Sequence, residues 1–282
     1  MMSDQRPDTI DHRVPELDGI RAIAIWMVLL AHATLGFPNA PGALASVPSP
    51  VMQVIGHGWL GVDLFFLLSG FLITGILIDT KERPRYFRNF YIRRALRIMP
   101  LYFTVIIVWS FFYENSRQYF ILSSLFGANF SDLLRIHEPH GPGVLWSLAV
   151  EEHFYFVWPV IVLLLSRRRL LLVSALIFLA TPVLRGIFAA KGMRADAIYA
   201  LSWFRFDGLA AGAMMAIWAK SSWFSLRSAK KIAGIALASL VVISVVGMRF
   251  GIFGTATVPA VALRYTQAYL FFCALFVLVV AQ

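Results

Sequence analysis

Of the 282 residues, 59% are hydrophobic and only 14% are charged, against roughly 25% charged in an average soluble domain, which excludes a soluble globular chain. The net charge of +10 is carried by basic residues clustered between apolar runs, which points to cytoplasmic loops rather than to nucleic-acid binding. The single cysteine, Cys273, excludes a disulfide framework and a cysteine-based metal site.

A membrane-spanning helix needs ~20 mostly apolar residues. In chain order the candidates are 18–37, 58–78, 98–114, 144–165, 169–190, 204–220, 231–250 and 262–281. The first contains Arg21 and His32 and lacks a convincing cleavage site, so it reads as a retained helix rather than a signal peptide. A ninth run, from Tyr119 to Phe130, is too short to cross and reads as a re-entrant or interfacial helix on the outer side. The segment from Asp79 to Arg97 carries Lys81, Arg83, Arg85, Arg88, Arg93, Arg94 and Arg97, whereas that from Pro38 to His57 has no Lys, Arg, Asp or Glu. With the N-terminus in the cytoplasm, every basic run lies inside. The expected fold is therefore an all-α polytopic bundle of about eight spans plus one short outer-side helix. No internal repeat is visible, so residues 1–282 read as a single transmembrane domain.

Ionisable groups inside hydrocarbon are costly and mark function by default. His32 lies near the outer end of the first run, Asp63 near the start of the second, and Glu151 and Glu152 near the start of the fourth. All fall roughly 8–11 Å below the outer surface at the rise of a helix. Arg205 and Asp207 open the sixth run near the outer edge, as candidate acceptor-binding residues or as an ion pair at a helix start.

A second group lies at the inner side. Arg21 opens the first run, and Arg93, Arg94 and Arg97, which share one helical face, precede the third. Guanidinium groups so arranged suit phosphate oxygens. Arg21 and His32 are about three turns apart, so their side chains point the same way, roughly 16 Å apart. An acyl-CoA has the matching shape, an anionic nucleotide joined by an extended arm to a thioester.

Five motifs in order complete this picture. Glu16-Leu17-Asp18-Gly19-Ile20-Arg21-Ala22 followed by His32, Gly61-Val62-Asp63-Leu64-Phe65-Phe66-Leu67-Leu68-Ser69-Gly70-Phe71, Arg93-Arg94 with Arg97 and Pro100, Trp146-Ser147-Leu148-Ala149-Val150-Glu151-Glu152-His153-Phe154-Tyr155, and Arg205-Phe206-Asp207-Gly208-Leu209 together resemble the membrane acyltransferase 3 family. The resemblance implies a transmembrane O-acyltransferase that moves an acyl group, commonly acetyl, from cytoplasmic acyl-CoA to a hydroxyl of an extracytoplasmic glycan, glycolipid or related acceptor. It implies a multi-pass protein of the bacterial cytoplasmic membrane, with membrane lipids, acyl-CoA and a surface glycan or lipid-linked saccharide as partners, no nucleic acid and no tightly bound cofactor. It also makes Arg21 and His32 a functional pair. Two departures stand out: His153 occupies a position more often held by Gln, and the family usually continues with about two further spans, so the chain reads as a member lacking them.

On this reading His32 is the general base, since imidazole titrates near neutral pH. Glu151, Glu152 and Asp63 are the candidate carboxylates to orient its ring and stabilise the imidazolium. Arg21, Arg93, Arg94 and Arg97 are the candidate CoA-phosphate ligands. Competing readings remain. The inner arginines also serve as a topology signal and as lipid-headgroup contacts. The carboxylates also suit bonds across helices, to backbone or to Arg205, while Ser69-Gly70, Gly208 and Gly212 suit close helix packing. His57 and Trp59 suit an interfacial aromatic belt, and His137 and His140 an outer surface loop. No histidine spacing argues for zinc, so no metal is expected. A proton-coupled transporter is the rival function, because transporters also bury carboxylates and histidines. A non-catalytic membrane subunit is the third.

Overall fold

The computed structural model describes residues 15–35, 49–113, 117–136, 142–221, 225–249 and 257–280. In hydrocarbon every backbone N–H and C=O must find a partner within its own segment, so the apolar runs become helices. They are α1 (Pro15–Leu35), α2 (Ser49–Gly56), α3 (Leu60–Thr80), α4 (Tyr86–Phe112), α5 (Arg117–Ser124), α6 (Leu145–Leu164), α7 (Arg167–Ala190), α8 (Ala195–Ala200), α9 (Phe206–Ala219), α10 (Leu226–Arg249) and α11 (Val258–Val280), and no strand occurs among the described residues. Seven of them, α1, α3, α4, α6, α7, α10 and α11, are long and apolar enough to cross a membrane. The chain is a multi-pass α-helical membrane protein.

Two elements differ from the expected spans. The sixth apolar run forms α9, of only 14 residues, about 21 Å long against a hydrocarbon core of ~30 Å. It succeeds as a short helix because it lies inside the bundle: ten of its residues are buried, Asp207 to Ala213 without a break, and it packs on α3, α7 and α11. Irregular backbone at that depth is tolerated where protein covers it, and the chain enters α9 through a 3-10 turn at Ser202–Phe204. The third span starts earlier than expected. α4 begins at Tyr86, so Arg93, Arg94 and Arg97 stand on the spanning helix itself rather than in a loop before it. The Tyr119–Phe130 stretch does not cross. It holds the eight-residue α5 and a 3-10 turn at Ala128–Phe130. His137 and His140 lie outside the described residues.

Helix ends follow local chemistry. α7 closes with Gly192 at φ 83°. The Met193 amide donates to the Phe188 carbonyl at 3.0 Å and the Gly192 amide to that of Ala189 at 2.9 Å, the paired bonds of a Schellman cap.

Glycine controls the central packing. A Cβ at Gly70 on α3 would strike the Leu209 carbonyl on α9, and one at Gly212 on α9 would strike the Leu67 carbonyl on α3. The two helices thus approach backbone to backbone in a reciprocal pair, as small residues permit in membrane bundles. Replacing Gly70 or Gly212 by Val should lower folding stability by about 1–3 kcal/mol, the usual cost of overpacking. The check is the unfolding midpoint in detergent, and an unchanged midpoint would show that α3 and α9 separate without cost.

Candidate active site

His32 sits on the last turns of α1, exposed to an outer cavity of ≈ 560 Å³ whose walls include Val28, Trp59, Phe66, Trp146, Glu151 and Tyr199. Its Nδ1 lies 2.8 Å from the Val28 carbonyl oxygen, one turn back on the same helix. A carbonyl only accepts, so Nδ1 carries the proton and Nε2 keeps its lone pair. A backbone carbonyl, rather than one of the candidate carboxylates, orients the ring.

Of the three candidate carboxylates, Glu151 alone lines the His32 cavity. Ser69 Oγ donates to Glu151 Oε1 at 2.7 Å and Tyr155 Oη to Oε2 at 3.1 Å. Ser69 is therefore a hydrogen-bonding residue, while its neighbour Gly70 performs the expected close packing. Neighbouring helical residues point ~100° apart, so Glu152 faces elsewhere: its Oε1 is buried with no partner among the described residues.

The inner side holds a second cavity, of ≈ 280 Å³, lined by Arg83, Arg93, Arg94 and Arg97 together with Thr80 and Asn89. Tyr86 and Tyr91 on α4 donate to the Pro159 and Phe156 carbonyls of α6 at 3.1 and 2.9 Å. This stitching lays the Arg94 guanidinium over the Tyr155 ring, 3.4 Å from its centroid. The charges of Arg94 and Arg21 both act on the Glu151 carboxylate. Arg21 otherwise pairs with Asp18 at 3.1 Å and lines neither cavity. Ser69, Glu151, Tyr155 and Arg94 thus form a polar layer between two cavities that share no lining residue. The histidine cavity and the arginine cavity meet at this layer, with Glu151 on one wall and Arg94 on the other.

A third cavity, ≈ 650 Å³, is also lined by His32 and lies among the turn after Phe130, the start of α6 and α8. Its walls include Asp132, Arg135, Arg194 and Asp196. Arg194 bonds Asp196 at 3.1 Å and lies 3.5 Å from Asp132. The Asp196 hydrogen bond, then the Asp132 charge, push the guanidinium further into its charged form. Desolvation pushes the Tyr199 hydroxyl well above its ordinary pKa, so it stays a proton donor.

The family model described as an acyltransferase domain, acyltransferase 3, matches residues 14–281. The chain belongs to this family. It is 33% identical over 169 residues to the peptidoglycan O-acetyltransferase OatA of Listeria monocytogenes, a match covering 53% of this chain and 24% of that protein. It is 30% identical over 214 residues to YrhL of Bacillus subtilis, whose name provisionally assigns it as a peptidoglycan O-acetyltransferase, covering 68% of this chain and 31% of the relative. An uncharacterized Haemophilus influenzae protein matches at 30% identity, over 56% of this chain and 74% of its own length. The chain spans about a third or less of the first two relatives. No solved structure matches it.

Three charged motif residues of this acyltransferase domain, Asp63, Arg205 and Asp207, lie away from these cavities. Arg205 pairs with Asp63 on α3, not with Asp207, and both side chains are wholly buried. Residues two apart at a helix start do not face each other, so Asp207 finds a different partner. Arg185 of α7 reaches Asp207 Oδ2 at 2.8 Å, Phe204 O at 2.7 Å, Ala262 O at 2.9 Å and Thr266 Oγ1 at 2.5 Å. Tyr269 Oη donates to Asp63 Oδ1 at 3.0 Å. Arg205 Nε and Nη1 have no hydrogen-bond partner among the described residues, and aromatic faces lie against the guanidinium instead. The Tyr265 centroid is 4.1 Å from the guanidinium carbon and that of Tyr199 5.1 Å. Asp63, Arg205 and Asp207, expected as catalytic or acceptor-binding residues, line none of the three cavities and are committed to holding helices together.

His153 receives a structural explanation as well. Its Nδ1 lies 2.7 Å from Ser202 Oγ, and Asn129 Nδ2 donates to the same oxygen at 2.8 Å. An imidazole nitrogen here does what a glutamine amide oxygen would do, which accounts for the departure from the family pattern. Arg185 escaped the sequence reading, although an arginine inside an apolar run is the signal that flagged Arg205. Tyr155 and Tyr199 carried no such signal.

Breaking one partner of a buried pair costs about 3–5 kcal/mol because the other charge is stranded. Asp63→Leu should therefore destabilise the protein by about that amount, and the added change Arg205→Met should recover most of it. Unfolding in detergent measures both, and an Asp63→Leu protein as stable as the parent would show the pair to be dispensable.

Proposed function

We propose that this chain is a membrane O-acyltransferase that transfers an acetyl group from acetyl-CoA, bound from the cytoplasmic side, to a hydroxyl of an extracytoplasmic glycan. The observation that carries the reading is the His32 ring: tautomer set by Val28, lone pair on Nε2, and a position on the wall of a cavity shared with Glu151. Family membership and the O-acetyltransferase names of OatA and YrhL support the same chemistry.

In the proposed reaction the acceptor hydroxyl attacks the thioester carbonyl while His32 Nε2 takes its proton. The tetrahedral intermediate collapses, the C–S bond breaks, and the proton passes to the departing thiolate, leaving an ester and CoA-SH. Glu151 places negative charge at the cavity where the imidazolium forms. Arg93, Arg94 and Arg97 line the inner cavity, where guanidinium groups suit nucleotide phosphates. The excess of Lys/Arg at that end supports a cytoplasmic location for it by the positive-inside rule, and the membrane proposed is the bacterial cytoplasmic one.

Purified protein should consume acetyl-CoA and acetylate a glycan acceptor. His32→Ala should lower that rate about 10²–10⁴-fold, the usual worth of a positioned base, without moving the unfolding midpoint. Retained rates would remove His32 from the chemistry, and CoA-independent solute flux in liposomes would favour a transporter instead. Arg97→Lys keeps the charge and loses bidentate geometry. It should raise the KM for acetyl-CoA while leaving kcat near the parent value, and steady-state kinetics over a range of acetyl-CoA concentrations reads both.

A further inference from the structure

The two outer cavities have three lining residues in common, His32, Trp146 and Tyr199, and no others. The catalytic base proposed above therefore stands, with Trp146 and Tyr199, on the wall common to both. The compartments it separates differ in chemistry. The first is walled largely by aliphatic and aromatic groups such as Val28, Val62, Phe65 and Leu148, and suits an acyl group and an alkyl arm. The second is walled by Ser131, Asp132, Arg135, Arg194 and Asp196, which are acceptors and donors of both signs.

We propose that the second cavity is the acceptor site and that it takes a pyranose saccharide. This rests on the acyl-transfer reading for the role of the site, but not for the binding itself. A sugar ring presents hydroxyls around its edge and C–H bonds on its faces. Carboxylates accept from hydroxyls and guanidinium groups donate to them, while Trp and Tyr rings offer apolar faces to C–H groups. Trp146 and Tyr199 stand with ring centroids 4.6 Å apart at 53°, an angled wall beside the base. Asp132 and Asp196 hold Arg194 between them from two separate elements, the turn after Phe130 and the first turn of α8. That turn is itself braced, Ile136 N donating to Ser131 O at 2.8 Å and Leu134 N to Phe130 O at 2.9 Å. The volume of ≈ 650 Å³ lies within the range of ligand pockets, roughly 300–1,000 Å³. A hydroxyl held here reaches His32 from the side opposite the thioester, so donor and acceptor need not pass one another.

The test is binding of chitotetraose, a soluble N-acetylglucosamine tetramer, to the full chain in nanodiscs, followed by saturation-transfer NMR. Asp196 is 80% exposed and Arg194 70%, so changes there leave the fold intact. Asp196→Asn and Asp132→Asn should each weaken binding about tenfold, the worth of one charge-assisted hydrogen bond, and Trp146→Leu should abolish it. The KM for acetyl-CoA should stay unchanged in both Asn variants. Absence of chitotetraose binding to the parent protein, or equal affinity in the Asp variants, overturns the proposal. The sugar titration needs no turnover, so failure of the acyl-transfer reading appears only in the turnover assay of His32→Ala, while failure of the saccharide site appears in the titration.

Discussion

A guanidinium removed from water keeps its charge, so the protein must close around it. Arg185 and Arg205 impose this constraint at the centre of the bundle. Arg185 meets it with a carboxylate, a hydroxyl and two backbone carbonyls. Arg205 meets it with Asp63 and a ring of aromatic faces. The partners come from α3, α7, α9 and α11, so four helices are held in one register by two charges. Apolar packing in lipid offers little such specificity, because hydrocarbon tails compete with it.

The outer cavities inherit their shape from this arrangement. Trp146 and Tyr199 lie over the buried Arg205 guanidinium on one side and line both outer cavities on the other. Residues that touch neither cavity, Asp63 and Arg205, thereby position residues that touch both. The polar layer of Ser69, Glu151, Tyr155 and Arg94 has a comparable role further in. It keeps a carboxylate partnered on the wall of the His32 cavity and stands between that cavity and the arginine cavity.

The long helices other than α4 were readable from apolar run length, and the non-crossing segment before α6 from its shortness. The start of α4 was not readable, because its first turns carry Arg88, Arg93, Arg94 and Arg97, and charged residues lower hydropathy without opposing helix formation. α9 was read as a full span since composition does not reveal that neighbouring helices enclose it. Intramembrane charge correctly singled out Asp63, Glu151, Arg205 and Asp207 as exceptional. It did not say which of them face a cavity.

By itself the sequence determined the class, the place and rough extent of most of the long helices, and the family, since these depend on local hydrophobicity and on motifs in order. Only the tertiary structure decided which charges neutralise each other, that Ser69 and Tyr155 hold Glu151, that His153 answers Ser202, and that His32 stands between two unlike cavities. Those outcomes depend on distances between side chains of different helices. Spacing along a single helix sets the depth of a residue and the side it faces, but not what it will meet there.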